Sequence, residues 1–140
     1  MRAPLLIAAT LTALASACEW GWEEINDKCY KLQRGRMGWT YHNLDCVYAG
    51  GTLASVSNYE ENDAVRRVAN GQTVYIGGAT FGWGWEWSDG SYWGGFSNWA
   101  NQDDSRPPPG KPCMKMNRDG YWEASCCAHP AAPAVCVRKF

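Results

Sequence analysis

The sequence predicts one α+β domain in which two helices flank short antiparallel sheets and a long Trp-rich loop region. Three observations predict it. Two stretches in the first half, residues 41–48 and 58–69, place apolar residues at helical three- and four-residue spacing. The second half carries short β-branched and apolar runs punctuated by turn signals, Asp119-Gly120 being the strongest of them. Between these, residues 74–99 hold five of the nine Trp and seven of the fifteen Gly. No regular helix or strand has that composition, whereas a looping segment held by packed rings does.

The chain opens with a single Arg, an apolar run from Leu5 to Leu14 and the small residues Ala15-Ser16-Ala17. That pattern is a secretory signal peptide, so residues 1–17 are read as a leader and residues 18–140 as the domain, secreted and extracellular. A bacterial lipoprotein signal is the rival reading because Cys18 follows directly, but such signals prefer Leu where Ala15 stands. The apolar run is too short to span a bilayer. Residues 18–140 carry 12 Lys and Arg against 14 Asp and Glu, a charge of −2, so neither nucleic acid nor a membrane is an expected partner.

Residues 18–32, with their aromatics and two Cys, fit a first strand tied to its own N-terminus. Thr40 is the expected N-cap of the first helix, with Tyr41, Leu44, Val47 and Tyr48 as its apolar face and Gly50-Gly51 as its stop. Residues 52–56 read as a short strand. Ser57-Asn58-Tyr59-Glu60 reads as a capping box opening a second helix, which buries Ala64, Val65 and Val68 and closes at Asn70-Gly71. The strand Val74-Tyr75-Ile76 ends at Gly77-Gly78, and Ser88-Asp89-Gly90-Ser91 is a turn. Residues 100–113 are polar and Pro-rich. Residues 113–117 alternate as a strand, residues 121–123 return from the Asp119-Gly120 turn, and residues 134–137 form the last strand.

Seven Cys in a secreted chain imply three disulfides and one unpaired thiol, with spacing alone unable to choose the connectivity. Metal ligation by these Cys is not expected, because no paired C-x-x-C spacing accompanies them and only two His are present. Both His, His42 and His129, read as incidental surface residues. A Ser-His-Asp site therefore has no support, and a glycosidase pair of Asp103 or Asp104 with Glu123 has none beyond the residue types. The protein is read as a binding protein, not an enzyme.

Tyr75-Ile76-Gly77-Gly78 resembles the WIGG-type strand of C-type lectin-like domains. Trp85-Glu86-Trp87-Ser88-Asp89-Gly90-Ser91, followed by Phe96-Ser97-Asn98-Trp99, is similar to that family's aromatic-x-Trp-x-Asp-Gly-Ser segment and Asn-Trp step. The resemblance covers residues 18–140. It implies disulfides Cys18–Cys29, Cys46–Cys136 and Cys113–Cys127, leaving Cys126 to remain unpaired, to replace Cys127, or to link two chains as a dimer.

The resemblance also implies a calcium-assisted sugar site, from which this chain departs at each position. Gln102-Asp103-Asp104 stands where a tripeptide with a central Pro is usual, Lys111 replaces an acid, and Trp122-Glu123-Ala124 replaces Trp-Asn-Asp. Calcium requires about six to eight oxygens. Gln102, Asp104 and Glu123 are thus the calcium candidates of an incomplete set, and solvated loop acids are the competing reading. Ligand contacts are expected from Gln102, Asp103, Asp104, Asn117 and Glu123, on the face made by the long loop and the hairpin of residues 114–123. Trp85 and Trp87 are expected in the core. Trp83, Tyr92 and Trp93 either stack on a sugar or pack, and burial statistics for aromatics favour packing. The expected ligand is an extracellular glycan bound with a degenerate calcium site; the alternative is a protein bound without calcium.

Overall fold

The computed structural model describes residues 16–139, so the expected leader lies outside the described residues except for Ser16 and Ala17. Strands β1 (Glu23–Ile25) and β2 (Lys28–Met37) form a hairpin. Its two turn residues, Asn26 and Asp27, both take positive φ, 50° and 66°, as a two-residue hairpin turn requires. The chain continues through α1 (Trp39–Tyr48), β3 (Thr52–Leu53), α2 (Tyr59–Ala69), β4 (Val74–Ala79) and β5 (Glu86–Trp87). A 3-10 turn (Gln102–Ser105) precedes β6 (Cys113–Met116), β7 (Trp122–Ser125) and β8 (Ala132–Lys139).

The strand order is β1-β2-β8-β4-β6-β7, with β3 attached to β8 and β5 to β4. Pairing of β2 with β8 joins the two ends of the domain, Lys28 lying opposite Lys139. Contact of β4 with β8 is parallel, and the other pairs are antiparallel. The architecture is the expected α+β one. The single first strand expected within residues 18–32 is instead the β1–β2 hairpin, which runs on to Met37, and β8 starts at Ala132 instead of residue 134.

All three disulfides join the expected partners: Cys18–Cys29, Cys46–Cys136 and Cys113–Cys127. Cys126 is unpaired and exposed. The Cys46–Cys136 bridge spans 90 residues of sequence, and closing a loop of that size in the unfolded chain is worth about 4–5 kcal/mol in the chain-entropy account. It also settles the orientation of α1.

That orientation differs from the periodicity reading. Helix α1 buries Trp39, His42 and Cys46, one face at three- and four-residue steps, and leaves Tyr41, Leu44, Val47 and Tyr48 exposed. Cys46 must face β8 to reach Cys136, and the residues sharing its face then carry their polar atoms inward to fixed acceptors. Trp39 Nε1 donates to the Ile76 carbonyl at 2.9 Å, and His42 Nε2 pairs with the Ala132 carbonyl at 2.7 Å. His42 is therefore a core residue, not a surface one. The helix begins at Trp39 after Gly38 and has no side-chain cap, so Thr40 is not the N-cap.

In α2 the cap falls one residue later than the sequence reading placed it. Asn58 accepts from the Glu61 amide at 2.8 Å, and Glu61 Oε1 accepts from the Ser57 amide at 2.7 Å. The expected stripe of Ala64, Val65 and Val68 is buried, and Asn70 closes the helix in the left-handed conformation. Strand β4 runs through both glycines to Ala79. A Cβ on Gly77 would stand 2.7 Å from the Leu53 carbonyl oxygen, so only Gly allows β4 to lie against β3 there. Strand β6 is buried at all four positions, so the expected alternation fails because both of its faces are covered.

The larger core cluster centres on Trp122, which has no solvent exposure. Its ring meets Trp87, Trp99 and Phe96 edge-on, with centroids 5.3, 5.6 and 5.7 Å away. The indole N–H donates to Asn62 Oδ1 at 2.8 Å, while Asn62 Nδ2 donates to the Gly120 carbonyl at 2.9 Å. One buried amide thus joins α2 to the β6–β7 turn. Asn62→Leu strands the buried indole N–H, while the Gly120 carbonyl keeps its bond from Asn98 Nδ2, and urea denaturation should show a loss of about 2 kcal/mol. Tyr48→Ser, on the exposed face of α1, should change stability by less than about 0.5 kcal/mol.

Candidate ligand-binding face

The long loop is ordered by rings and by the free edge of β7. Trp85 packs on Trp99 with centroids 5.3 Å apart and donates its indole N–H to the Asp104 carbonyl at 2.8 Å. Trp87 packs on Trp93 at 5.1 Å. Trp85 and Trp87 are buried, as expected. The outer edge of β7 is covered by loop backbone and one carboxylate. The Trp122 amide donates to the Asn98 carbonyl, the Ala100 amide to the Trp122 carbonyl, and the Ala124 amide to Asp104 Oδ2, at 2.8, 2.9 and 3.0 Å.

The turn at residues 88–91 is fixed by Asp89, whose Oδ1 accepts from the Ser91 amide at 2.8 Å and whose Oδ2 accepts from the Ser55 hydroxyl at 2.6 Å. Burial pushes this carboxyl up, but the Ser55 and Ser91 hydrogen bonds and the charge of Lys139 outweigh burial and hold it below its ordinary value. The loop therefore stays fastened at neutral pH.

The expected ligand residues are distributed as follows. Gln102 and Asp103 are exposed on the 3-10 turn. Asp104 is half-buried and spends one carboxylate oxygen on the Ala124 amide. Asn117 Oδ1 accepts from the Asp119 and Tyr121 amides, both at 3.0 Å, so its side-chain oxygen holds the hairpin turn. Glu123 lies opposite Lys115 in the hairpin and lines a cleft that shares no residue with the two bordered by the Trp-rich loop. Trp93 is half-buried among Trp87, Trp99 and Trp122, so it packs. Trp83 is 91 % exposed and Tyr92 is exposed as well; packing, the outcome favoured for them by burial statistics, does not occur. Trp83 stands between Gly82 and Gly84 in a bend, and the Tyr92 ring lies beside Gly94 and Gly95.

These residues do not fit calcium. Asp104 is committed to the β7 edge, Glu123 faces a lysine, and Ala124 offers no side-chain oxygen. Among the described residues no group of three or more His, Cys, Asp or Glu is placed to hold a metal ion.

What the fold does assemble is a cleft of about 690 Å³ between the start of α1 and the loop of residues 81–93. Trp39, Trp87, Trp93 and Phe81 supply its rings, and Thr40, Asn43, Glu86 and Ser91 its polar side chains. Sequence reasoning missed Trp39, Asn43, Phe81 and Glu86. Only Glu86 left a signal, since strand alternation between buried Trp85 and Trp87 directs it outward.

The Lectin C-type domain profile matches residues 35–138. The chain belongs to the C-type lectin domain family. It is 29% identical over 130 residues to the galactose-specific lectin nattectin of Thalassophryne nattereri, covering 86% of this chain and 81% of that one. It is 31% identical over 130 residues to a type-2 ice-structuring protein of Hemitripterus americanus, covering 88% and 76%. Among solved structures, a calcium-independent type II antifreeze protein superposes with a TM-score of 0.78 at 26% identity, covering 89% of this chain and 96% of that one. Domains of this family bind glycans or proteins and are not enzymes.

With no convergent ligand set, titrating calcium into the protein should give no saturable heat, and EDTA should leave the melting temperature unchanged. A melting temperature raised by calcium would show that Gln102, Asp104 or Glu123 is released to the metal.

Proposed function

We propose that the protein is a secreted binding protein that recognises an extracellular glycan without calcium, in the aromatic cleft between α1 and residues 81–93. The observation that carries this reading is the composition of the cleft. The exposed Phe81 ring and the half-buried Trp93 ring offer apolar surface to the C–H face of a sugar, with buried Trp39 and Trp87 as the floor, and the hydroxyl, amide and carboxylate side chains around them can take its hydroxyl groups. The likeness to a galactose-specific lectin makes galactose the first sugar to test. Three disulfides in a small domain agree with an oxidising, extracellular setting.

Isothermal titration with galactosides in EDTA should show binding that calcium does not strengthen. Phe81→Ala and Glu86→Ala, both at exposed positions, should each weaken it at least tenfold while the melting temperature moves by less than about 2 °C. Binding that requires calcium, or that ignores both substitutions, overturns the assignment.

One observation favours the alternative of a protein ligand. Tyr41, Leu44, Val47 and Tyr48 leave an apolar stripe on α1 beside the same cleft, where a partner could bury it. Free monosaccharide would not compete for such an interface.

The disulfide-linked dimer through Cys126 belongs with this reading as well. The thiol is exposed, and its Sγ lies 3.2 Å from the Gly110 carbonyl oxygen. A non-reducing gel of the secreted protein should show a dimer that Cys126→Ser abolishes. Monomer alone, with one titratable thiol, would exclude it.

A further inference from the structure

Away from the aromatic cleft, a second cleft of about 640 Å³ opens between the β6–β7 hairpin, the turn of residues 71–73 and the loop of residues 126–132. Its charge is uneven. Arg36, Lys111, Lys115 and Arg118 line it, four of the chain's 13 Lys and Arg, against Glu123 alone of its 14 Asp and Glu. In a chain of net charge −1 the cations are thus gathered at one opening, where low-dielectric walls strengthen their field.

The floor of this cleft is built, not incidental. Lys115 is only 5 % exposed, in a strand whose other members are Cys113, Met114 and Met116. A buried ammonium is costly unless it is partnered. Here Nζ donates to the Pro130 carbonyl at 2.8 Å and stands 4.7 Å from the centre of the Tyr75 ring. Burial pulls the Lys115 amine down from its ordinary value, while the nearby charges of Glu123 and Cys126 oppose that shift. The rim cations Arg36, Lys111 and Arg118 are exposed and have no carboxylate within ion-pairing distance among the described residues.

We propose that this cleft binds the sulfate or carboxylate groups of an acidic glycan. Its partner class rests on the glycan reading above, but its site does not, because the two clefts share no residue. The walls argue for an acidic glycan over a peptide. Apart from the His129 and Pro130 rings its apolar lining is alanine, with no Trp, Tyr, Phe, Leu, Ile, Val or Met to grip a protein anchor residue. Guanidinium groups at Arg36 and Arg118 are suited to paired hydrogen bonds with a sulfate or carboxylate, and Gln72 and Thr73, which also line the cleft, can take hydroxyl groups.

The test is titration of the full protein, in EDTA, with dextran sulfate, uncharged dextran, polyglutamate and inorganic sulfate as separate ligands. Dextran sulfate should bind, and its affinity should fall steeply between 50 and 200 mM salt. The pair Arg36→Glu and Arg118→Glu, both exposed, should weaken it at least tenfold without moving the melting temperature. Uncharged dextran should not compete, and inorganic sulfate should compete only at far higher concentration. Failure of dextran sulfate to bind, or indifference to the paired substitution, overturns the proposal. Polyglutamate binding as tightly at equal charge would assign the cleft to acidic peptides, and inorganic sulfate binding alone would assign it to a free anion; either result also overturns it. Galactoside binding sensitive to Phe81→Ala is a separate readout. Its survival would show that the acidic-glycan site failed while the glycan reading stood.

Discussion

The position of Trp122 is the constraint on which the rest of the ligand-binding half depends. Its backbone lies at the free edge of the sheet, its ring fills the centre of the larger core cluster, and its indole N–H reaches α2 through Asn62. An edge strand would normally leave amides and carbonyls unpaired. Here the chain of residues 98–104 lies along that edge and takes them, with Trp99 bridged to Trp122 in parallel. The rings and the edge bonds reinforce each other. Trp87, Trp99 and Phe96 pack on Trp122 from the loop side, so the backbone that covers the edge is held by the same residue whose strand it covers. A loop this rich in Gly loses much conformational entropy on ordering, and a ring cluster of this size is what offsets it.

Much of the fold was legible because its signals are local or covalent. Asn70, Gly90 and Gly120 take the positive φ their turns need, and the Trp-rich segment loops as its composition implies. The second helix showed its buried face because its one inward polar anchor, Asn62, lies on the same face as the apolar stripe. Helix α1 did not, and the reason is specific. Periodicity ranks faces by apolarity, yet a disulfide from Cys46 to Cys136 and two ring nitrogens with fixed carbonyl acceptors outweigh four apolar side chains. Burying Tyr41, Leu44, Val47 and Tyr48 instead would require giving up that bridge. The sequence contains those Cys, but which face they turn inward is set by where β8 lies, and that is a tertiary fact.

The site was less legible than the fold. A resemblance points to positions where relatives keep ligands, and the residues at those positions here have been drawn into structural work. Asn117 closes a turn, Asp104 covers a strand edge, and Glu123 faces Lys115. The residues that do line the aromatic cleft come from the start of α1 and from the loop, about forty residues apart, and only the fold places them together. Trp83 and Trp93 show the same limit. Both are Trp in Gly-rich context, but one meets the ring cluster and the other projects past it, and nothing in their immediate neighbours distinguishes the two cases.

Asp104 explains how the loop can be ordered without a cation. Where a metal would tie loop oxygens to the neighbouring strand, here the carboxylate accepts the Ala124 amide directly and the Asp104 carbonyl accepts the Trp85 indole N–H. Both bonds lie inside the chain, so the arrangement of residues 98–104 does not wait on an ion. A preformed loop spares a ligand the entropy of ordering it. It also frees the remaining charges from metal coordination, and the placement of Lys111 and Lys115 on the far side of the hairpin is compatible with that freedom in a way it would not be with a divalent ion beside Glu123.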